Sequence, residues 1–176
     1  MDQAGAGRIE TKRLVLRSPV MDDAARIADL IGDFPVVRML SNVPYPYDHA
    51  DAVRFLSEVA GEDPAHTRSF AIEHRTFGLI GGIGFHHGED PWPELGYWLG
   101  RTFWGCGFAT EAARWAMRWA DRGWGRKVVG SGHFADNPAS GGVLTKAGFL
   151  YTGERRRRPA LARGLEIETR MMIRLA

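Results

Sequence analysis

The sequence contains one cysteine, Cys106, among 176 residues. One cysteine excludes an internal disulfide and a cysteine-rich zinc site, and we expect no bound metal. No apolar run approaches the roughly 18 residues of a membrane span, and residues 1–8 lack the basic and apolar segments of a signal peptide. The net charge of +2 is too small to indicate nucleic-acid binding by itself. These absences predict a cytoplasmic protein that binds neither membranes nor nucleic acids.

The length and the composition are typical of one soluble globular domain. Hydrophobic residues make up 44% of the chain and charged residues 25%. We predict a disordered tail at residues 1–8 and a single domain at residues 9–176.

Hydrophobic periodicity predicts the elements of this domain. Alternating and β-rich segments predict strands at residues 11–17, 69–74, 79–87, 94–100, 127–133, 149–155 and 166–175. Helical spacing predicts helices at residues 22–31, 36–40, 48–60, 109–122 and 137–147, with Asp48 as an N-cap. The order is not a regular βαβ alternation. It predicts an α/β (α+β) domain with a mixed, mostly antiparallel sheet.

The most informative segment is Trp104–Ala112, in which Gly105 and Gly107 lead from a predicted strand into a predicted helix. Glycines allow close backbone approach, and the first turn of a helix offers unpaired N–H groups and a positive dipole end. The segment predicts a main-chain site for a phosphate or pyrophosphate. A connection that binds nothing is the alternative. The P-loop motif is absent, and this loop lies too late in the chain for a dinucleotide fold.

Four segments, in order, carry a resemblance to a known family: Gly96–Leu99, Trp104–Ala112, Asn137–Ser140 and Lys146–Phe149. They resemble the GNAT superfamily of acetyl-CoA-dependent N-acetyltransferases. Within the superfamily they look like the branch of Rim-type ribosomal-protein N-terminal acetyltransferases, which Thr11–Arg17 and Pro44–Tyr47 also resemble. The resemblance covers residues 9–176.

The resemblance implies a three-layer fold whose sheet is splayed between the strands near residues 94–100 and 127–133, with acetyl-CoA in the cleft. The resemblance implies that the backbone of Trp98, Leu99 and Gly100 pairs with pantetheine and the acetyl carbonyl. It implies that the pyrophosphate is held by the backbone N–H groups of Gly105, Cys106, Gly107, Phe108 and Ala109. Thr110, Asn137 and Ser140 are further implied cofactor-binding residues. The basic residue with which the family opens this loop is replaced by Thr102, for which Arg101 is a nearby substitute. Cys106 stands where relatives often have a second basic residue.

Direct attack of an amine on the thioester is the mechanism that the resemblance implies, without a covalent intermediate. The oxyanion donor is then the backbone N–H of Leu99. Glu94 is the predicted base, directly or through water, because the apolar run after it favours a desolvated carboxylate. Ser140 is the predicted proton donor to the thiolate, since Leu144 stands where many relatives have a tyrosine for this role. The alternative is that Ser140 only forms a hydrogen bond at the start of its helix. Other candidates for the base are Glu89, Asp90, His86 and His87.

We therefore expect an N-acetyltransferase that uses acetyl-CoA and no metal, acting as a monomer or homodimer. The expected acceptor is a peptide N-terminus, with a small amine as the second choice. We expect the Pro44–Tyr47 loop to form one side of the acceptor site. Two other functions are considered: a non-catalytic acyl-CoA sensor on the same fold, and a nicotinamide-dependent oxidoreductase. Cys106 is not expected to act as a nucleophile. The run Arg155–Arg158 is expected to be a solvated strand end, or else a site for an acidic substrate or the nucleotide 3′-phosphate.

Overall fold

The computed structural model describes residues 7–176. Its strands are β1 (Arg8–Glu10), β2 (Leu14–Arg17), β3 (Arg68–His74), β4 (Gly78–His87), β5 (Pro93–Leu99), β6 (Val128–Phe134), β7 (Leu150–Ala160) and β8 (Leu165–Leu175). Its α-helices are α1 (Ala24–Ile31), α2 (Phe34–Val37), α3 (His49–Ala60), α4 (Phe108–Arg122) and α5 (Pro138–Lys146). The strands form one sheet in the order β1-β2-β3-β4-β5-β6-β8-β7.

Helices cover both faces of this sheet, which confirms the predicted three-layer fold. The apolar faces of α1 and α3 pack with Ala71 and Leu79 on one side. The small-residue face of α4, from Ala112 to Ala120, packs on the other side together with Leu144 of α5. Alanines let α4 lie close to the sheet, so the sheet determines where its first turn stands. Among residues 7–176, no helix has both the length and the apolar character needed to cross a bilayer.

The N-terminal strand differs from its prediction. A tight turn replaces the first half of the strand expected at residues 11–17: Thr11 N–H donates to the Leu14 carbonyl, and Leu14 N–H donates to Thr11 Oγ1. The turn reverses the chain, so that β1 pairs antiparallel with β2. Arg8, assigned by the prediction to the tail, therefore belongs to β1; residues 1–6 of that tail lie outside the described residues.

Most other element boundaries agree with their predictions to one or two residues, with two exceptions. Helix α2 begins at Phe34, with Pro35 in its first turn, earlier than the predicted segment 36–40. Strand β7 continues to Ala160 instead of ending near Arg155. A bulge between Tyr151 and Arg155, with Gly153 at φ +85°, shifts the register against β8 and lets the strand continue.

The sheet opens between β5 and β6, as predicted. These strands run parallel and share one ladder pair, Glu94 with Gly130. One residue further on, Ser131 Oγ donates to the Leu95 carbonyl at 2.8 Å. Beyond that contact, β5 keeps its ladder to β4, and β6 keeps its ladder to β8. We call the gap between residues 96–99 of β5 and 132–134 of β6 the seam; α4 and α5 both begin at its open end.

Candidate active site

The turn before α4 presents a row of backbone N–H groups at the open end of the seam. Gly105 and Gly107 have φ of +72° and +78°, a left-handed conformation that glycine adopts without a Cβ penalty. Gly107 is the N-cap, no side chain caps the helix, and Glu111 N–H donates to the Gly107 carbonyl. Among the described residues, no group accepts a hydrogen bond from the N–H groups of residues 105–110. These N–H groups and the helix dipole together suit an anion.

Glu111 joins this turn to the turn between β1 and β2. Its Oε1 accepts from Thr11 Oγ1 at 2.6 Å and from Arg13 N–H at 2.8 Å, and its Oε2 accepts from Arg13 Nε at 2.7 Å. Burial raises the pKa of Glu111, but the hydrogen bonds from Thr11 and Arg13 outweigh it and hold the pKa below its usual value. The charged pair ties the start of α4 to the first strands.

Arg13 supplies a cation beside the turn. Its Nη1 donates to the Cys106 carbonyl at 3.0 Å, and its guanidinium lies 4.5 Å from the centre of the Phe108 ring. Arg101 is the predicted substitute for the basic residue of this loop, but the structure brings Arg13 to this turn from 93 residues away in the chain. Only the fold reveals this contact, because Arg13 and the turn are distant in sequence.

A basic cleft continues from the turn along α4. It has a volume of about 410 Å³. Four cations line it, together with Gly107, Thr110, Glu111 and Trp115: Arg13, Arg114, Arg118 and Lys146. Arg114 Nε donates to the Lys146 carbonyl at 2.8 Å, which holds α4 and the end of α5 together. The cleft therefore extends the anion site towards a second region of positive charge.

Backbone groups of β5 alternate between β4 and the seam, and this alternation bears on the predicted cofactor contacts. Gly100 N–H donates to the Ile80 carbonyl, and the Gly100 carbonyl accepts from Phe103 N–H. By alternation, the backbone groups of Trp98 also point to β4, opposite Gly82. The contact of the Trp98 and Gly100 backbone with pantetheine stays a prediction, which this register does not favour. The seam edge consists of Tyr97 and Leu99.

Leu99 keeps its predicted position at this edge. Its carbonyl accepts from Trp104 Nε1 at 2.9 Å, so the indole folds the turn back onto the strand. By the same alternation, its N–H points into the seam, where an oxyanion donor would stand. The oxyanion role of Leu99 stays a prediction with a compatible geometry.

Ser140 lies across the seam from β5, in contact with a tyrosine that the sequence did not single out. Its Oγ is 2.7 Å from Tyr97 Oη, and Tyr97 Oη also donates to the Ser140 carbonyl at 3.2 Å. Burial raises the pKa of Tyr97 to about 12, so its hydroxyl is protonated at neutral pH. The Asn137 side chain caps α5 by accepting from Ser140 N–H at 3.3 Å. Two hydroxyl groups thus meet beside the seam.

Glu94 is desolvated, as predicted, but it is not free. Its side chain is 3% exposed, and Arg158 donates to both of its oxygens, Nη1 to Oε2 at 2.6 Å and Nη2 to Oε1 at 2.7 Å. The hydrogen bonds to Glu94 raise the pKa of Arg158. Both oxygens of the carboxylate are therefore engaged by Arg158. The role of Glu94 as direct base stays a prediction that the geometry does not favour.

The arginine run alternates along β7 instead of forming one solvated strand end. Arg155 and Arg157 are exposed. Arg156 and Arg158 turn inward, and Arg156 pairs with Asp90 at 2.9 Å and Glu154 at 2.6 Å. Two of the four cations are therefore neutralised within the protein. The run does not form a continuous phosphate site, and the prediction of a solvated strand end holds only for Arg155 and Arg157.

The predicted acceptor loop lies on the face of the sheet opposite α4. Tyr47 packs against the cluster of α1 and α3, and burial raises its pKa to about 12. Tyr45 is exposed, with its ring 5.1 Å from that of Phe34. Of the two tyrosines, Tyr45 is the one available to an incoming molecule. Within residues 7–176, no group of three or more histidine, cysteine, aspartate or glutamate side chains is arranged to hold a metal ion.

Sequence comparison identifies the family of this arrangement. The model of the acetyltransferase (GNAT) domain matches residues 13–150. An uncharacterized N-acetyltransferase, YoaA from Bacillus subtilis (strain 168), is 30% identical over 150 residues, which cover 82% of this chain and 84% of that protein. A second, p20 from Bacillus licheniformis, is 31% identical over 108 residues, which cover 59% of this chain and 60% of that protein.

Solved structures share the fold at low identity. The ribosomal-protein-S5-alanine acetyltransferase from Vibrio fischeri aligns with a TM-score of 0.81 at 15% identity, covering 96% of each chain. The microcin C7 self-immunity acetyltransferase MccE, solved with acetyl-CoA and AMP, also aligns with a TM-score of 0.81, at 16% identity and 94% of each chain. At these identities the likeness establishes the fold and not the substrate.

Proposed function

The chain belongs to the GNAT acetyltransferase family, and from that premise we propose that it transfers the acetyl group of acetyl-CoA to a primary amine. The observation that carries the proposal is the turn at residues 105–110, whose N–H groups point away from any described acceptor at the open end of the seam. A diphosphate bound there would direct the pantetheine arm along Leu99 and Tyr97. The N-acetyltransferases among the relatives favour turnover over a sensing module.

The chemistry requires the residues of this chain to position two substrates, stabilise an oxyanion and move protons. We assign the pyrophosphate to the N–H groups of Gly105, Cys106, Gly107, Phe108, Ala109 and Thr110. Leu99 N–H donates to the thioester oxygen. Ser140, hydrogen-bonded to Tyr97, donates a proton to the departing thiolate, while Asn137 holds the start of α5 that carries Ser140.

We propose a peptide N-terminus as the acceptor, with a small amine as the second choice. An S5-alanine acetyltransferase shares this fold, which is compatible with a protein acceptor, and the exposed Tyr45 offers an aromatic contact on the predicted acceptor loop. A single domain over residues 9–176, a cytoplasmic location and a monomeric or homodimeric state stay predictions.

Release of free CoA tests this function. We expect release above the hydrolysis background with short peptides that carry a free N-terminus, and none with the same peptides acetylated at that end. A small polyamine completes the panel. Acetyl-CoA binding without release for any amine would indicate a sensing module, and no acetyl-CoA binding by calorimetry would refute the proposal.

The basic cleft predicts a preference for the 3′-phosphate of the cofactor. We expect CoA to bind about tenfold more tightly than 3′-dephospho-CoA, because one charge-assisted contact contributes about 1.5 kcal/mol. Substituting Arg118→Met and Lys146→Met together removes two cations from the cleft and is expected to abolish most of this preference. Calorimetry at two salt concentrations measures it, since screening weakens an exposed contact. Arg122→Met is the control, because Arg122 is exposed on α4 outside the cleft.

A preference that persists in the double variant would place the 3′-phosphate elsewhere. Equal affinity for both ligands in the unsubstituted protein would show that the cleft does not contact this phosphate at all.

A further inference from the structure

The carboxylate of Glu94 is closed off on every side that the structure describes. Arg158 covers both oxygens, and the backbone of Gly88 packs so closely that an added Cβ would collide with Oε1. A Cβ at Gly130 would lie 3.4 Å from the Glu94 Cγ and 2.9 Å from Trp92 Nε1. An amine or a water molecule therefore has no direct approach to this carboxylate. The proton acceptor for the reaction is therefore a group other than the Glu94 carboxylate.

His86 stands directly beside it, on the neighbouring strand. It is the residue of β4 paired with Glu94 in the ladder, and such opposed residues have Cβ atoms about 5 Å apart. Its ring lies over Gly96, where a Cβ would be 3.2 Å from Cε1. Its side chain reaches solvent although much of the ring is packed among protein atoms, and within residues 7–176 no hydrogen bond to its ring nitrogens is present. Unlike Glu94, this group is free to meet a substrate.

Beside His86, most positions on this face of β4 and β5 are glycines. The next ladder pair on the same face is Gly84 with Gly96, and the pair after it is Gly82 with Trp98. Leu95 and Tyr97 face the α4 side, so Gly96 faces the opposite side, away from α4. These glycines are only partly buried. One glycine pair, Gly84 with Gly96, thus lies between His86 and Trp98. It lies next to the point at which β5 and β6 stop pairing.

Charges around His86 come from three strands. Glu94 of β5 favours the imidazolium, while Arg158 of β7 and the neighbouring His87 disfavour it. His87 in turn stacks on His66, with the ring centres 5.5 Å apart. Desolvation is the largest effect, and it holds the pKa of His86 below its usual value. At neutral pH the imidazole is therefore uncharged and able to accept a proton.

We propose that His86 takes the proton from the acceptor amine, with Glu94 and Arg158 as a fixed charge pair behind it. The inference rests on the proposed acetyl transfer. The amine lone pair forms the C–N bond to the thioester carbon, the C–S bond breaks, and one amine proton passes through a bridging water to a ring nitrogen of His86, whose ring lies over Gly96, three residues before Leu99. The thiolate takes a proton from Ser140. The imidazolium then loses its proton to solvent, and Ser140 regains one from solvent. The Glu94 charge stabilises the imidazolium while it exists.

The test is the substitution His86→Gln, measured against pH. We expect kcat to fall about 100-fold, the usual size of a general-base contribution. The acetyl-CoA Kd is expected to change less than twofold. In the unsubstituted enzyme, the acidic limb of kcat/KM should follow a group that ionises below the ordinary histidine pKa of about 6.5. That limb should vanish in His86→Gln. His66→Gln is the matched control, because this exposed histidine does not lie over Gly96.

A second variant separates chemistry from folding. His86→Ala removes the ring, and we expect added imidazole to restore part of its rate. A full rate and an intact acidic limb in His86→Gln would overturn the proposal, as would the same loss in His87→Gln alone. A lack of CoA release by the unsubstituted enzyme with every amine would instead refute the proposed function.

Discussion

Replacing Gly107 by alanine is expected to weaken acetyl-CoA binding at least tenfold while the protein still folds. Gly107 is the N-cap of α4 at φ +78°, and an L-residue in that conformation costs about 1–2 kcal/mol. The turn relieves this strain by rotating its peptide planes, which turns N–H groups away from a bound diphosphate. Each charge-assisted hydrogen bond lost costs about 1.5–3 kcal/mol. Isothermal calorimetry with acetyl-CoA and a thermal unfolding curve measure the two effects separately.

The other end of the same helix supplies a matched control. Gly125 follows α4 at φ +67°, and a Cβ there meets nothing within 4 Å. Gly125→Ala therefore imposes a similar backbone strain at a distance from the turn. We expect it to lower the unfolding temperature as Gly107→Ala does and to leave the acetyl-CoA Kd within twofold. Equal losses of affinity in both variants would attribute the effect to general strain and not to the amides of the turn.

Removing Arg158 is expected to have the largest effect on stability. Arg158→Met leaves the enclosed carboxylate of Glu94 without its partner, and breaking such a pair costs about 3 kcal/mol. Denaturant unfolding measures the free energy. Arg157→Met is the control from the neighbouring position of the strand: its side chain is 69% exposed, its ion pair with the Glu166 carboxylate is 3.6 Å long, and its exposed Nη2 donates to the Glu166 carbonyl at 2.9 Å. For that exposed pair we expect a change below about 0.5 kcal/mol.

A double substitution identifies the cause of that loss. Glu94→Gln combined with Arg158→Met removes both charges, so we expect it to recover at least half of the free energy lost in Arg158→Met alone. Additive losses would show that Arg158 stabilises the protein through packing and not by compensating Glu94.

The parts of the fold that were predictable are those that depend on local pattern. The alternation in β3, β4 and β8 and the small-residue face of α4 define elements within a few neighbouring residues. The glycines at positions 105 and 107 predicted the conformation of the turn for the same reason. The break near Thr11 was missed, because a β-rich sequence does not reveal that a threonine hydroxyl will accept from the backbone three residues later.

The parts of the site that were not predictable depend on pairs distant in sequence. Arg158 and Glu94 are 64 residues apart, and Arg13 and Cys106 are 93 residues apart. The strand period could have suggested that alternate arginines of β7 face inward, but no local signal names their partners. Likewise, the contact of Tyr97 with Ser140 arises only because the seam brings β5 opposite α5. The direction of backbone groups along β5 also required the register with β4.

The most direct measurement of the central claim is a crystal structure of this protein with CoA. The account predicts diphosphate oxygens within hydrogen-bonding distance of the N–H groups of residues 105–110, with the pantetheine arm lying in the seam beside Leu99 and Tyr97. A diphosphate bound away from that turn, or a pantetheine arm outside the seam, would contradict it.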